Sequence, residues 1–178
     1  MHDARARRHR HAARHHQGYT PPYAAIVVDV NSGKVLHAQN ENEPRHPASV
    51  TKVMTLYLLF EQLEKGRVKL DSEIRISQHA ASMAPSKLGL RPGSAIEVED
   101  AILAVVTKSA NDIAAAIGEH IGGSEERFAE MMTAKARALG MSRTHYENAS
   151  GLPNPDQVTT ARDLSILGRA IQERFPKY

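Results

Sequence analysis

Between Ser49 and Leu63 the chain places apolar residues at Val50, Val53, Met54, Leu56, Tyr57, Leu58, Leu59, Phe60 and Leu63. At helical spacing they cover every face rather than one stripe. A helix over Ser49–Lys65, closed by Gly66, is therefore central and buried, and the rest of the chain must wrap around it. One residue disagrees with that setting. Lys52 lies one turn in, among the apolar side chains, where an unpartnered ammonium is costly and its pKa falls. A lysine that is neutral near pH 7 can act as a base.

Ser49 and Lys52 stand at i and i+3, on one helix face, with Cβ atoms about 5–6 Å apart. Ser49 falls at the helix N-terminus, where backbone N–H groups favour a developing negative charge. A serine hydroxyl is a weak nucleophile without an adjacent base, and this spacing supplies one. The plainer alternative has Ser49 as an N-cap and Lys52 reaching out to solvent. A second polar group, Ser109-Ala110-Asn111, interrupts two apolar stretches that could otherwise be one helix. Either it is helix punctuation, since Ser and Asn cap well, or it is a polar element on the facing wall of a cleft.

Other signals fill in a mixed α/β chain. Ala24–Val30 reads as a mostly buried strand, Asn31-Ser32-Gly33 as a turn and Lys34–Ala38 as the returning strand. A short extended piece at Glu73–Ile76 precedes an irregular stretch, 77–94. Helices follow from about Glu97 to Val106, from after Asp112 to Ile121, and from the Ser124 cap to Gly140. Thr160-x-x-Asp163 reads as a capping box opening a last helix.

The 178 residues include 41% hydrophobic and 24% charged side chains, an ordinary globular composition. There is no Cys, which excludes disulfides, zinc–thiolate sites and a cysteine nucleophile. The net charge of +3 is unevenly spread. Residues 1–20 hold five Arg against one Asp, whereas residues 21–178 hold 18 basic and 19 acidic residues. The folded part is thus near neutral, which argues against nucleic acid as a partner, as does the absence of Trp. The 1–20 segment also carries five of the ten His and reads as a disordered, solvated tail before a domain over 21–178. No secretory h-region and no run of 18 apolar residues is visible, so membrane association does not show in this chain.

The order Ser49-x-x-Lys52 and then Ser109-x-Asn111 resembles the penicillin-recognising serine enzymes, whose motifs are SxxK, SxN and a Lys-Thr-Gly strand. His46-Pro47-Ala48-Ser49-Val50-Thr51-Lys52-Val53-Met54-Thr55 is similar to the D-alanyl-D-alanine carboxypeptidases, the low-molecular-weight penicillin-binding proteins. So are Leu90-Arg91-Pro92-Gly93, Lys108–Ala114, Asn148-Ala149-Ser150-Gly151-Leu152-Pro153 and Thr159–Leu164. The resemblance covers about residues 22–178. It implies the β-lactamase/transpeptidase-like fold, an antiparallel sheet against helices plus a mainly helical subdomain. It also implies peptidoglycan stem peptides as substrate, β-lactam antibiotics as acylating ligands, a periplasmic or extracytoplasmic location, and no metal or organic cofactor.

By the same resemblance Ser49 is the acyl-ester nucleophile, Lys52 the general base and Ser109 a proton relay to the leaving D-alanine. Asn111 would bind the substrate peptide and position Lys52. No Lys-Thr-Gly or Lys-Ser-Gly occurs anywhere in the sequence. In the family that strand supplies part of the carboxylate site and the second oxyanion N–H. The chain thus looks like the N-terminal part of a catalytic domain, expected to be weak or inactive by itself. Losing one oxyanion donor typically costs about 100- to 1,000-fold. A D,D-endopeptidase of the same family and a non-catalytic homologue that binds wall peptides are the alternatives. A class A β-lactamase fits less well, because its Glu-x-x-Leu-Asn string is absent.

Overall fold

The computed structural model describes residues 22–178, so the expectation of a disordered tail falls outside the described residues. Strands β1 (Ala25–Val28) and β2 (Val35–Gln39) form an antiparallel hairpin. Its turn is tied by the Asp29 carboxylate, which accepts from the Ser32 N–H at 2.7 Å. Gly33 supplies the φ of +70° that the turn needs. The hairpin is less buried than its apolar run suggests. Val27 and Val30 are about half exposed, and every residue of β2 is exposed.

A 3-10 turn, Ala48–Thr51, leads into helix α1 (Lys52–Glu64). The all-round apolar pattern has the expected outcome. Met54 and Leu59 are fully buried, and Leu56, Tyr57, Leu58 and Phe60 are nearly so. Burial of each such side chain contributes roughly 1.5–3 kcal/mol. Val50, in the preceding turn, is the exception and faces solvent.

The segment after α1 is more ordered than its Pro and Gly content suggests. Strand β3 (Glu73–Arg75) pairs antiparallel with β4 (Ala95–Glu97), and Ser77 caps a short helix, α2 (Gln78–Ser82). Helix α3 (Val98–Lys108) starts with Glu99 and Asp100 in its first turn, where they suit the positive end of the helix dipole.

Helix α4 (Asn111–Gly122) lies against α1, α2, α3 and α5 (Glu125–Leu139), with Ile113 and Ile117 fully buried. Close approach of α4 and α5 depends on Gly122. A Cβ there would stand 2.8 Å from the Phe128 backbone nitrogen. Helix α6 (Ala161–Arg174) packs on β1, α1 and α5. Thr160 caps it by accepting from the Asp163 N–H at 3.0 Å. The capping box is only half formed, because the Asp163 carboxylate turns to the Arg143 N–H and the Thr144 hydroxyl. The result is a mixed α/β fold, two small antiparallel sheets around a helical core centred on α1 and α4.

Candidate active site

The 3-10 turn puts Ser49 on the surface and Lys52 beneath it, 4% exposed. Lys52 does not reach for solvent. Its Nζ donates to the Ser150 carbonyl at 2.6 Å, to Asn111 Oδ1 at 2.7 Å and to Ser49 Oγ at 3.4 Å. Two of these acceptors are neutral oxygens from distant parts of the chain. They hold the ammonium without neutralising it, and burial lowers its pKa to about 8. The plain alternative for Ser49 fails too. Pro47 and Thr51 occupy the two N-cap positions, and Ser49 Oγ is left to Lys52.

Asn111 opens α4, but its side chain is not a cap. Its amide bridges the site, with Oδ1 on Lys52 and Nδ2 donating to the Ala84 carbonyl at 2.8 Å. Asp112 anchors the same wall, its carboxylate accepting from the Leu88 and Gly89 N–H groups at 2.9 and 2.8 Å. Ser109 ends α3 in the left-handed region, φ +55°, and is half-buried. The structure brings Ser49, Lys52 and Asn111 together in one hydrogen-bonded group. Ser109 stands two residues before Asn111, and its hydroxyl makes no hydrogen bond to that group.

The Glu147–Leu152 loop is the part of the site that residue chemistry alone did not reveal. A backbone carbonyl, that of Ser150, is a principal partner of Lys52. Only the resemblance of the Asn148–Pro153 string pointed to this loop. It is held from several sides. Gln157 Oε1 accepts from the Glu147 and Asn148 N–H groups, Asn148 Oδ1 accepts from Gly151 N–H, and the Thr55 hydroxyl donates to the Ala149 carbonyl at 2.7 Å. Gly151, φ +84°, presses on the Ala48 backbone beside Ser49. A Cβ at 151 would lie 1.8 Å from the Ala48 carbonyl oxygen. A groove of about 390 Å³ opens next to this contact, lined by His46, Pro47, Ala48, Leu152 and Pro153 among others.

Among the described residues no cluster of three His, Asp or Glu is placed to hold a metal ion. Nor is any helix among them long and apolar enough to cross a membrane.

Residues 12–178 match the peptidase family described as D-alanyl-D-alanine carboxypeptidase. The chain is 38% identical over 148 residues to the D-alanyl-D-alanine carboxypeptidase DacF of Bacillus subtilis, covering 83% of this chain and 38% of that protein. Among solved structures it resembles the D-alanyl-D-alanine carboxypeptidase DacD of Francisella tularensis, with a TM-score of 0.84 and 35% identity over 86% of this chain and 37% of the other. It also resembles penicillin binding protein 5 of Haemophilus influenzae, with a TM-score of 0.82 and 32% identity, covering 90% and 48% of the respective chains. The chain thus spans about two fifths of the length of the curated relatives it matches.

Proposed function

The chain belongs to the D-alanyl-D-alanine carboxypeptidase family, and from that premise we propose that it carries the acylating half of a serine D,D-carboxypeptidase site. The substrate class would be peptidoglycan stem peptides ending in D-Ala-D-Ala, and the work would be done outside the cytoplasmic membrane. The observation that carries this reading is the buried Lys52, lowered to about 8 and 3.4 Å from an exposed Ser49 hydroxyl.

In this reading neutral Lys52 takes the Ser49 proton as Oγ attacks the carbonyl carbon of the penultimate D-Ala. The Ser49 N–H stabilises the oxyanion that forms. The C–N bond then breaks, and the proton returns from Lys52 to the departing D-alanine nitrogen, a transfer that Ser109 would relay once bound substrate bridges its hydroxyl to Lys52. Water hydrolyses the ester left on Ser49, with Lys52 again as base. Asn111 keeps Lys52 in place and offers its amide to the substrate peptide. With a β-lactam, the broken C–N bond leaves the amine tethered, so the adduct retains the whole drug. The Lys-Thr-Gly segment is absent from this sequence. Acylation by this chain alone should therefore be slow, by about 100- to 1,000-fold for one missing oxyanion donor.

The second reading is a non-catalytic homologue that binds wall peptides. Intact-mass spectrometry after long incubation with penicillin separates the two. The catalytic reading expects a one-to-one adduct of full penicillin mass that is missing from a folded Ser49→Ala variant. An identical adduct on Ser49→Ala refutes the nucleophile, and no adduct on the wild type favours the binding homologue.

A further inference from the structure

The Glu125 side chain, buried at the start of α5, joins two parts of the molecule that are far apart in sequence. One oxygen, Oε2, lies 2.7 Å from His79 Nε2 on α2. The other, Oε1, accepts from the buried Ala149 N–H at 3.0 Å. Ala149 is thereby held at both of its backbone groups, since its carbonyl receives the Thr55 hydroxyl from α1. The next carbonyl along, that of Ser150, is the one on Lys52 Nζ. We infer that Glu125 is a positioning residue for Lys52: by fixing the Ala149 amide it aims the Ser150 carbonyl at the Lys52 ammonium.

The geometry leaves little slack in this linkage. Ala149 is fully buried, and its Cβ sits so close to Gly118 on α4 that a Cβ there would approach it to 3.3 Å. The Ser150 carbonyl shares its peptide plane with the Gly151 N–H, which Asn148 Oδ1 holds, so it leaves Lys52 only if the loop shifts as a unit, and the Glu125 bond, with that of Thr55, is what fixes the loop through Ala149. His79 is exposed on its outer side and serves as the brace for the second carboxylate oxygen. Glu125 raises its pKa through their hydrogen bond, with Glu119 and Glu126 adding to the negative surroundings. A hydrogen bond that holds a charged donor supports the charged form, so its loss pulls the Lys52 titration down.

Two variants separate the hydrogen bond from the charge. Glu125→Gln removes the charge but keeps an oxygen for Ala149 and a group for His79. Glu125→Asp keeps the charge but is one methylene short of spanning both. The measurement is the NMR titration of the Lys52 side chain in the full 178-residue chain, assigned by its absence from Lys52→Arg. The inference expects a midpoint near 8 in the wild type and in Glu125→Gln, and one lower by about one pH unit in Glu125→Asp. Faster exchange of the Ala149 amide should accompany it. A wild-type midpoint in folded Glu125→Asp overturns the inference. So does a shifted midpoint in the isosteric Glu125→Gln, which decides the question even if Glu125→Asp loses its fold. The inference rests on Lys52 being the base, but the titration reads its protonation without any turnover. It therefore fails separately from the carboxypeptidase reading, which stands or falls on penicillin labelling.

Discussion

Lys52 is the residue on which the proposed chemistry turns, and its burial has a thermodynamic signature. In the unfolded chain the ammonium keeps its proton to about pH 10.4, whereas in the folded state it loses it near pH 8. Between these values the unfolded state binds more protons, so stability rises with pH across that window. Below pH 8 the folded state carries the full cost of the buried charge. Urea titrations of wild type and Lys52→Met should therefore converge by about 3 kcal/mol between pH 8 and 10.5, with the variant the more stable at the lower end. Parallel stability curves would mean that Lys52 titrates normally. Lys52 was legible in the sequence because it contradicts its apolar surroundings, Ser49 because it stands one turn before Lys52, and Asn111 chiefly because the SxN string resembles that of the family. The Ser150 carbonyl was not, since every residue carries a carbonyl and only the fold selects one. Ser109 was read as part of the same wall, and its hydroxyl lies outside the hydrogen-bonded group around Lys52.

Helices with strong boundary residues were the most readable elements. Ser124 and Thr160 cap α5 and α6 as their sequences imply, and Gly66 closes α1. Thr160→Ala should cost about 1 kcal/mol in urea unfolding, the usual value of an N-cap oxygen, without changing penicillin labelling. Helix α2 and strand β4 were not readable. The first has five residues and the second three, too few for any hydrophobic period to register. Ser77 and the pairing of β4 with β3 define them instead. The Asn148–Gly151 loop is where element geometry meets chemistry. Gly151→Ala combines a positive φ with a clash against the Ala48 carbonyl. It should lower stability by about 2–4 kcal/mol and abolish labelling, because relief of the clash displaces Ser49 or Ser150. Wild-type labelling by a folded Gly151→Ala protein would show that the Ala48–Gly151 contact does not set the site.

At the scale of the molecule, the helical core and the β1–β2 hairpin differ in how well they are satisfied. The core buries its apolar residues. The hairpin, among the described residues, pairs only with itself and leaves Val27, Val30, Val35 and Leu36 exposed. Open strand edges with apolar faces pair readily with other chains. The 178-residue chain should therefore self-associate in sedimentation velocity, and Leu36→Lys with Val27→Lys should shift it toward monomer. A wild-type monomer at all concentrations would remove this expectation. The central claim is that Ser49 and a neutral Lys52 act as one acylating unit, and the pH dependence of penicillin acylation tests it most directly. The adduct should form slowly, at a rate that rises through a midpoint near pH 8 and then levels, and it should be lost in Lys52→Arg, whose guanidinium cannot accept the proton. A rate independent of pH between 6 and 10, or acylation that survives Lys52→Arg, would contradict it.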